Sequence, residues 1–156
     1  MSTIAETSLA SRSTRVRPAT LDDAAAVFAL VEQLGIGGTP ERSSFDEAFR
    51  NAVRDDDDHI LLVMDVDGTV VGYALATIAR LLYANGEVAQ LQELVVDGKA
   101  GGRGYGSQLV SAIERECRTR GVLQLTVASI LRAASFYERL DYRSTANYLR
   151  KVFADQ

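Results

Sequence analysis

A chain of 156 residues, 47% hydrophobic and 24% charged, has the size and composition of one soluble globular domain and can bury a core without disulfides or a structural metal. Seventeen basic against 21 acidic residues, a net charge of −4, argue against a nucleic-acid partner. The one cysteine, Cys117, excludes a disulfide framework and a cysteine-rich zinc site. No apolar run reaches the length of a membrane span, and Met1–Ser13 lacks the basic start and apolar stretch of a secretion signal, so a cytoplasmic setting without membrane contact or a bound metal is expected.

Residues 1–12, rich in Ser, Thr and Ala without a hydrophobic period, are expected to be a mobile tail ahead of a single domain over 13–156. Thr14–Pro18 suits a short strand. Thr20 with Asp23 resembles a capping pair for a helix that carries Val27 and Val31 and stops at Gly35. A loop over Gly35–Pro40 follows, and Ser44 with Glu47 signals the start of a second helix bearing Phe45, Ala48, Phe49, Ala52 and Val53. The acidic run Asp55–Asp58 reads as a solvated turn. Ile60–Val66 and Thr69–Ala79 are β-rich and joined by Asp67–Gly68, a strong hairpin signal. Val88–Val96 adds a strand after Asn85–Gly86.

From Gly104 the period becomes helical, with Leu109, Ile113 and Cys117 on one stripe and Gly121 at the end; Cys117 reads as core. Leu123, Leu125 and Val127 alternate with polar residues, as in a half-buried strand. A short helix with Ala133, Phe136, Tyr137 and Leu140 follows, and Tyr142–Phe153 suits one or two closing strands. The expected fold is an α/β (α+β) layer of helices on a mixed sheet, in the order β-α-α-β-β-β-α-β-α-β(-β).

Five of the 12 glycines fall between Gly98 and Gly106, after an apolar strand and at the start of a helix. Such a turn lets backbone N–H groups converge without Cβ atoms in the way, and the helix N-terminus adds partial positive charge, so a phosphate site is expected. The alternative is a flexible connection. A dinucleotide fingerprint fails because Ser107 stands at the third glycine position, and a nucleoside-triphosphate loop fails because Gly106 is followed by Ser107 and Gln108.

Gly101–Gly102–Arg103–Gly104–Tyr105–Gly106 resembles the acyl-CoA signature Q/R-x-x-G-x-G/A of the GCN5-related N-acetyltransferase (GNAT) family, with Gly101 in place of Arg or Gln. Phe136–Tyr137–Glu138–Arg139–Leu140–Asp141–Tyr142 is similar to a second element of that family, with Asp141 for its Gly and, upstream, Ile130 for a common Asn. The resemblance runs from Arg15 to Phe153 and implies a GNAT-like, mostly antiparallel twisted sheet and an N-acetyltransferase using acetyl-CoA as co-substrate. It implies direct attack by the primary amine of a small molecule in a ternary complex. A non-catalytic acyl-CoA-binding module and a transferase acting on a protein amine are the alternatives. A homodimer is left open, since many relatives pair.

The same resemblance assigns roles. Backbone groups of Leu94, Val95 and Val96 would hold the pantetheine arm, and the amides of Gly101, Gly102, Arg103, Gly104, Tyr105, Gly106 and Ser107 the pyrophosphate, with Lys99 and Arg103 nearby. Tyr137 stands where the family places its general acid, and Glu93 where it often has an acidic residue acting on the amine. Strand alternation puts Leu91, Glu93 and Val95 on one face and Gln92, Leu94 and Val96 on the other. For both Tyr137 and Glu93 the bland alternatives are a core tyrosine and a solvated glutamate. His59 is expected to lie away from the site.

Overall fold

The computed structural model describes residues 13–154, so the expected tail over residues 1–12 lies outside the described residues. In chain order these form β1 (Thr14–Pro18), α1 (Ala24–Leu34), α2 (Arg42–Arg54), β2 (His59–Val66), β3 (Thr69–Leu81), β4 (Gly86–Val96), α3 (Tyr105–Thr119), β5 (Leu125–Val127) and α4 (Ala134–Arg139). Short 3-10 turns precede α1 at Leu21–Asp23, follow β4 at Gly98–Ala100 and precede α4 at Leu131–Ala133. The strands form one sheet in the order β1-β2-β3-β4-β5. The first three pairings are antiparallel, and β5 lies parallel to β4.

The sheet is covered on both faces, which explains why Ile60–Met64 is apolar without alternation. Leu62 and Met64 face α3 together with Ala74, Ala76, Leu109 and Ile113. Val63 and Tyr73 face α1 and α2, against Val27, Leu30 and Phe49. The Asp67–Gly68 hairpin forms as expected, with φ of 53° and 85° at its two residues, the left-handed pair that such a turn requires.

Asp23 does more than cap α1. Its carboxylate accepts the Thr20 N–H at 2.8 Å and a two-pronged bond from the Arg17 guanidinium at 2.8 and 2.9 Å. Arg17 Nε also donates to Asp65 at 3.0 Å, tying the start of α1 to β1 and β2. The Asp23 and Asp65 side chains are only 8% and 10% exposed. The Arg17 hydrogen bond, ahead of all other influences, holds both carboxyls below the usual range.

Three sequence expectations are corrected. The α2 helix starts at Arg42 with Glu41 as its cap residue, and Ser44 lies inside it. The Arg42 guanidinium sits 5.0 Å from the Phe28 ring and pairs with Asp46 at 2.9 Å, contacts made from a helical position one turn before Asp46. The strand expected over Leu123–Val127 is only Leu125–Val127; Leu123 is exposed, and its N–H donates to the Glu87 carbonyl. The closing strands expected between Tyr142 and Phe153 are not formed. Tyr142 is anchored, its hydroxyl donating to Glu114 on α3 at 2.8 Å. Residues 143–154 have no regular structure, and Tyr148, Leu149, Val152 and Phe153 are exposed. Their apolar residues come in adjacent pairs rather than in alternation, and three-residue β5 is a short template for a further strand.

Cys117 lies on the buried face of α3, where burial pushes its thiol up. That matches its reading as a packing residue.

Candidate functional site

One irregularity in β4 organises the site. Leu75 pairs with Glu93, but the next residue of β3, Ala76, pairs with Leu91. Gln92 is therefore an extra residue, a β-bulge, which bends the strand and resets its faces. The sequence alternation placed Leu91, Glu93 and Val95 together. Instead Leu91 packs with Leu94 and Val96 on the α3 side, while Val95 packs on the α1–α2 side with Tyr73. The expected grouping of Gln92 with Leu94 and Val96 fails for the same reason: the Gln92 amide donates to the Thr77 hydroxyl at 2.9 Å.

Beyond the bulge β4 and β5 part. They pair only through Ala89, Leu91 and the residue between them, opposite Leu125–Val127, although β4 continues to Val96. The Asp97 N–H donates to the Val71 carbonyl at 2.8 Å. Counting back by the two-residue repeat of an antiparallel ladder, Val95 turns its N–H and C=O toward β3, while Leu94 and Val96 turn theirs to the open side. Of the three strand residues singled out in the sequence, two thus present free backbone groups to the gap.

At the end of β4 the chain makes the glycine turn. Gly98 N–H donates to the Gln33 side-chain oxygen of α1 at 3.1 Å, and Asp97 accepts the Lys99 N–H. Gly102 and Gly104 have φ of 78° and 76°, the left-handed region that other residues enter at a cost. Gly101 is different, with φ −64°, a conformation open to any residue. Gly104 caps α3, and the first intrahelical bond runs from Gln108 N–H to the Gly104 carbonyl. The amides of Tyr105, Gly106 and Ser107 therefore have no partner within the helix and point out of its N-terminus. The Tyr105 side chain is buried in the core, so it offers the turn only its backbone. Lys99 and Arg103 line a shallow pocket of about 200 Å³ with Val66, Val71, Asp97, Ala100 and Tyr105.

The second sequence element packs beside this turn. A Cβ placed on Gly106 would lie 3.4 Å from Phe136 Cζ and 3.9 Å from Val96 Cγ2, so the first turn of α3, the end of β4 and α4 converge. Tyr137, 9% exposed, makes edge contacts with the Phe136 and Tyr142 rings at 5.0 and 5.7 Å. Burial raises its phenol pKa. Asp141, just past the end of α4, has φ 69°, a left-handed conformation that suits the glycine the resemblance implies there.

Glu93 lies on the other face of the sheet from Tyr137. It is half-buried and accepts a hydrogen bond from the Tyr73 hydroxyl at 2.9 Å. His59 begins β2 opposite Thr77, with its Nδ1 3.7 Å from Asp55. It belongs to the acidic turn. Sequence reasoning missed two residues. Tyr73 resembled any strand aromatic, and only the hairpin register, corrected for the bulge, would have brought it to Glu93. Gln33 carried no signal.

The mixed sheet with its flanking helices superposes on solved acetyltransferase structures. The chain belongs to the acetyltransferase (GNAT) family, whose sequence model matches residues 26–142. Glucosamine 6-phosphate N-acetyltransferase of Arabidopsis thaliana is 22% identical over 127 residues, covering 80% of this chain and 85% of the relative. Its crystal structure superposes with a TM-score of 0.80 over 91% of this chain and 99% of that one, at 20% identity. A transcriptional regulator from Bacillus halodurans C-125 superposes with a TM-score of 0.81 at 22% identity, covering 90% of this chain and 100% of that one. An aminoglycoside N-acetyltransferase in complex with CoA gives 0.75 at 17% identity, covering 94% and 96%. No helix among the described residues is long and apolar enough to cross a membrane.

Proposed function

We propose that the protein is an acetyl-CoA-dependent N-acetyltransferase that acetylates the primary amine of a small molecule by direct attack in a ternary complex, within one domain over residues 13–156. The observation that carries this reading is the parting of β4 from β5 directly above the glycine turn. Two relatives support the acceptor class, being named for glucosamine 6-phosphate and for aminoglycosides.

Acetyl-CoA would supply the acyl group as a thioester, with CoA leaving as its thiolate once the acetyl carbon is bonded to the amine nitrogen. The open backbone groups of Leu94 and Val96 extend the sheet onto its amide-bearing arm, as a further strand would. Amides at the start of α3, with those of Gly101–Gly104, take the pyrophosphate, where the helix N-terminus favours negative charge. No basic surface is needed for that, which reconciles the acidic net charge with a phosphate ligand.

The chemistry asks for a proton acceptor on the amine side and a donor on the thiol side. Glu93 accepts the amine proton, directly or through one water. Tyr137 donates toward the departing sulfur. A phenol near pKa 10 is protonated at neutral pH, but full transfer to a thiolate whose acid form lies near 8.5 is uphill by about 1.5 units at ordinary values. Burial of Tyr137 steepens that further. Its role is therefore a hydrogen bond that strengthens as charge grows on sulfur, the proton staying on the phenol and the thiolate taking its own from water after release.

Tyr137→Phe tests the reading. Thiol release from acetyl-CoA, followed against a panel of aminosugars and polyamines, is expected to slow by roughly 10- to 100-fold in kcat with little change in acetyl-CoA affinity. Wild-type turnover in that variant removes Tyr137 from the mechanism. Acetyl-CoA binding to the unaltered protein without thiol release for any amine makes the fold a binding module instead.

A further inference from the structure

We propose that Tyr73 is a positioning residue for the Glu93 carboxylate, its buried hydroxyl fixing one carboxylate oxygen so that the other is presented to the amine. This rests on the reading of Glu93 as the base. A glutamate side chain has three rotatable bonds, and a half-buried one on a strand can turn its carboxylate in several directions. Tyr73 removes that freedom. Its ring is 1% exposed and wedged with Val27, Leu30, Phe49, Val63 and Val95 under α1 and α2. A ring held this way has no free torsion, so its hydroxyl is a fixed point in the fold.

The bulge at Gln92 is what aims Glu93 at that point. Tyr73 pairs with Val95 and Leu75 with Glu93, so phenol and carboxylate are diagonal neighbours on one face, within reach of a long side chain. The hydroxyl donates to Oε1 at 2.9 Å. Among the described residues no other side chain donates to Glu93, which leaves Oε2 to accept from the amine or its water. The phenol keeps its proton throughout any practical assay range, because burial first, and then the charge and hydrogen bond of Glu93, push its pKa well above the ordinary value. The bond therefore always runs from the phenol to the carboxylate, which it orients.

A buried tyrosine that merely fills space predicts a loss of stability and nothing else. Positioning predicts a kinetic signature. In Tyr73→Phe the ring and its packing remain. We expect kcat with a saturating amine to fall about 3- to 10-fold, the size of one lost hydrogen bond, with KM for acetyl-CoA unchanged. The decisive arm is a double-mutant cycle with Glu93→Gln. If Tyr73 acts through Glu93, the double variant is no slower than Glu93→Gln alone. Additive losses in the double variant, or a rise in KM for acetyl-CoA in place of a fall in kcat, overturn the positioning role while leaving Glu93 as base. Wild-type rate and profile in Glu93→Gln overturn both. Thermal unfolding of each variant, with rates corrected for the folded fraction, separates lost activity from lost structure.

Discussion

The two ends of the sheet solve opposite problems. At the first end β1 pairs with β2 along its whole length, and Arg17 holds Asp23 and Asp65 in one buried cluster. At the other end β5 meets β4 over three residues and the strands then separate. The closed end pairs its buried carboxylates with a protein cation. The open end leaves the backbone of Leu94 and Val96 and the first amides of α3 for a ligand. The lesson is that substitutions at the closed end should cost stability without changing chemistry, and those at the open end should do the reverse.

The largest expected effect lies at the closed end. Arg17→Met strands two buried carboxylates and should destabilise the fold by about 3–5 kcal/mol, read from urea unfolding at neutral pH. Because Arg17 depresses the pKa of both aspartates in the folded state, their contribution is full above the unfolded value of about 3.9 and is lost as pH falls through the folded values. The difference between Arg17→Met and the unaltered protein should therefore shrink below about pH 4. A gap that stays constant down to pH 2 means that the cluster is not an ionic one.

Next comes the middle of the sheet, where the comparison can be sharpened. A Cβ on Gly72 would lie 2.9 Å from the Val95 carbonyl and 3.2 Å from Leu109 Cδ1, so β3 and β4 could not keep their spacing under α3. Gly72→Ala should cost about 1–3 kcal/mol and lower the melting temperature. A neutral result would show that α3 is free to shift.

At the open end the expected effects are kinetic. Gln33→Ala frees the Gly98 amide from α1, and a hydrogen bond of ordinary net worth implies a rise in acetyl-CoA KM of roughly 2- to 10-fold with kcat and melting temperature nearly unchanged. A loss of stability without a change in KM would place Gln33 with the closed end instead. The smallest effect is expected at Asp141, whose φ of 69° suits glycine. In Asp141→Gly the relief of strain exceeds the added freedom of the unfolded chain only slightly, a gain of no more than about 0.5 kcal/mol in thermal unfolding.

Much of this was written locally. The Asp67–Gly68 turn, the glycine run from Gly98 to Gly106, and the apolar stripe of Leu109, Ile113 and Cys117 each combine a residue type with a spacing that few conformations satisfy. They were legible because their causes act over a few bonds. The bulge was not. Gln92–Glu93 interrupts the apolar run in a way that alternation also allows, so nothing in the strand itself says that Leu91 and Val95 face opposite sides. The terminal strands failed for the converse reason: Tyr148, Leu149, Val152 and Phe153 look like strand material, but a strand needs a neighbour, and β5 is three residues long.

By itself the sequence determined the elements from β1 to α4, their order and the glycine turn, because propensity and periodicity act within one element. Only the tertiary structure decided that β4 is bulged at Gln92, that it parts from β5 at Leu91, that Tyr73 meets Glu93 across a hairpin, and that Arg17 gathers Asp23 and Asp65 from segments far apart in the chain. Those facts depend on register between strands and on which face each side chain takes, and a one-residue change in register reverses every face at once.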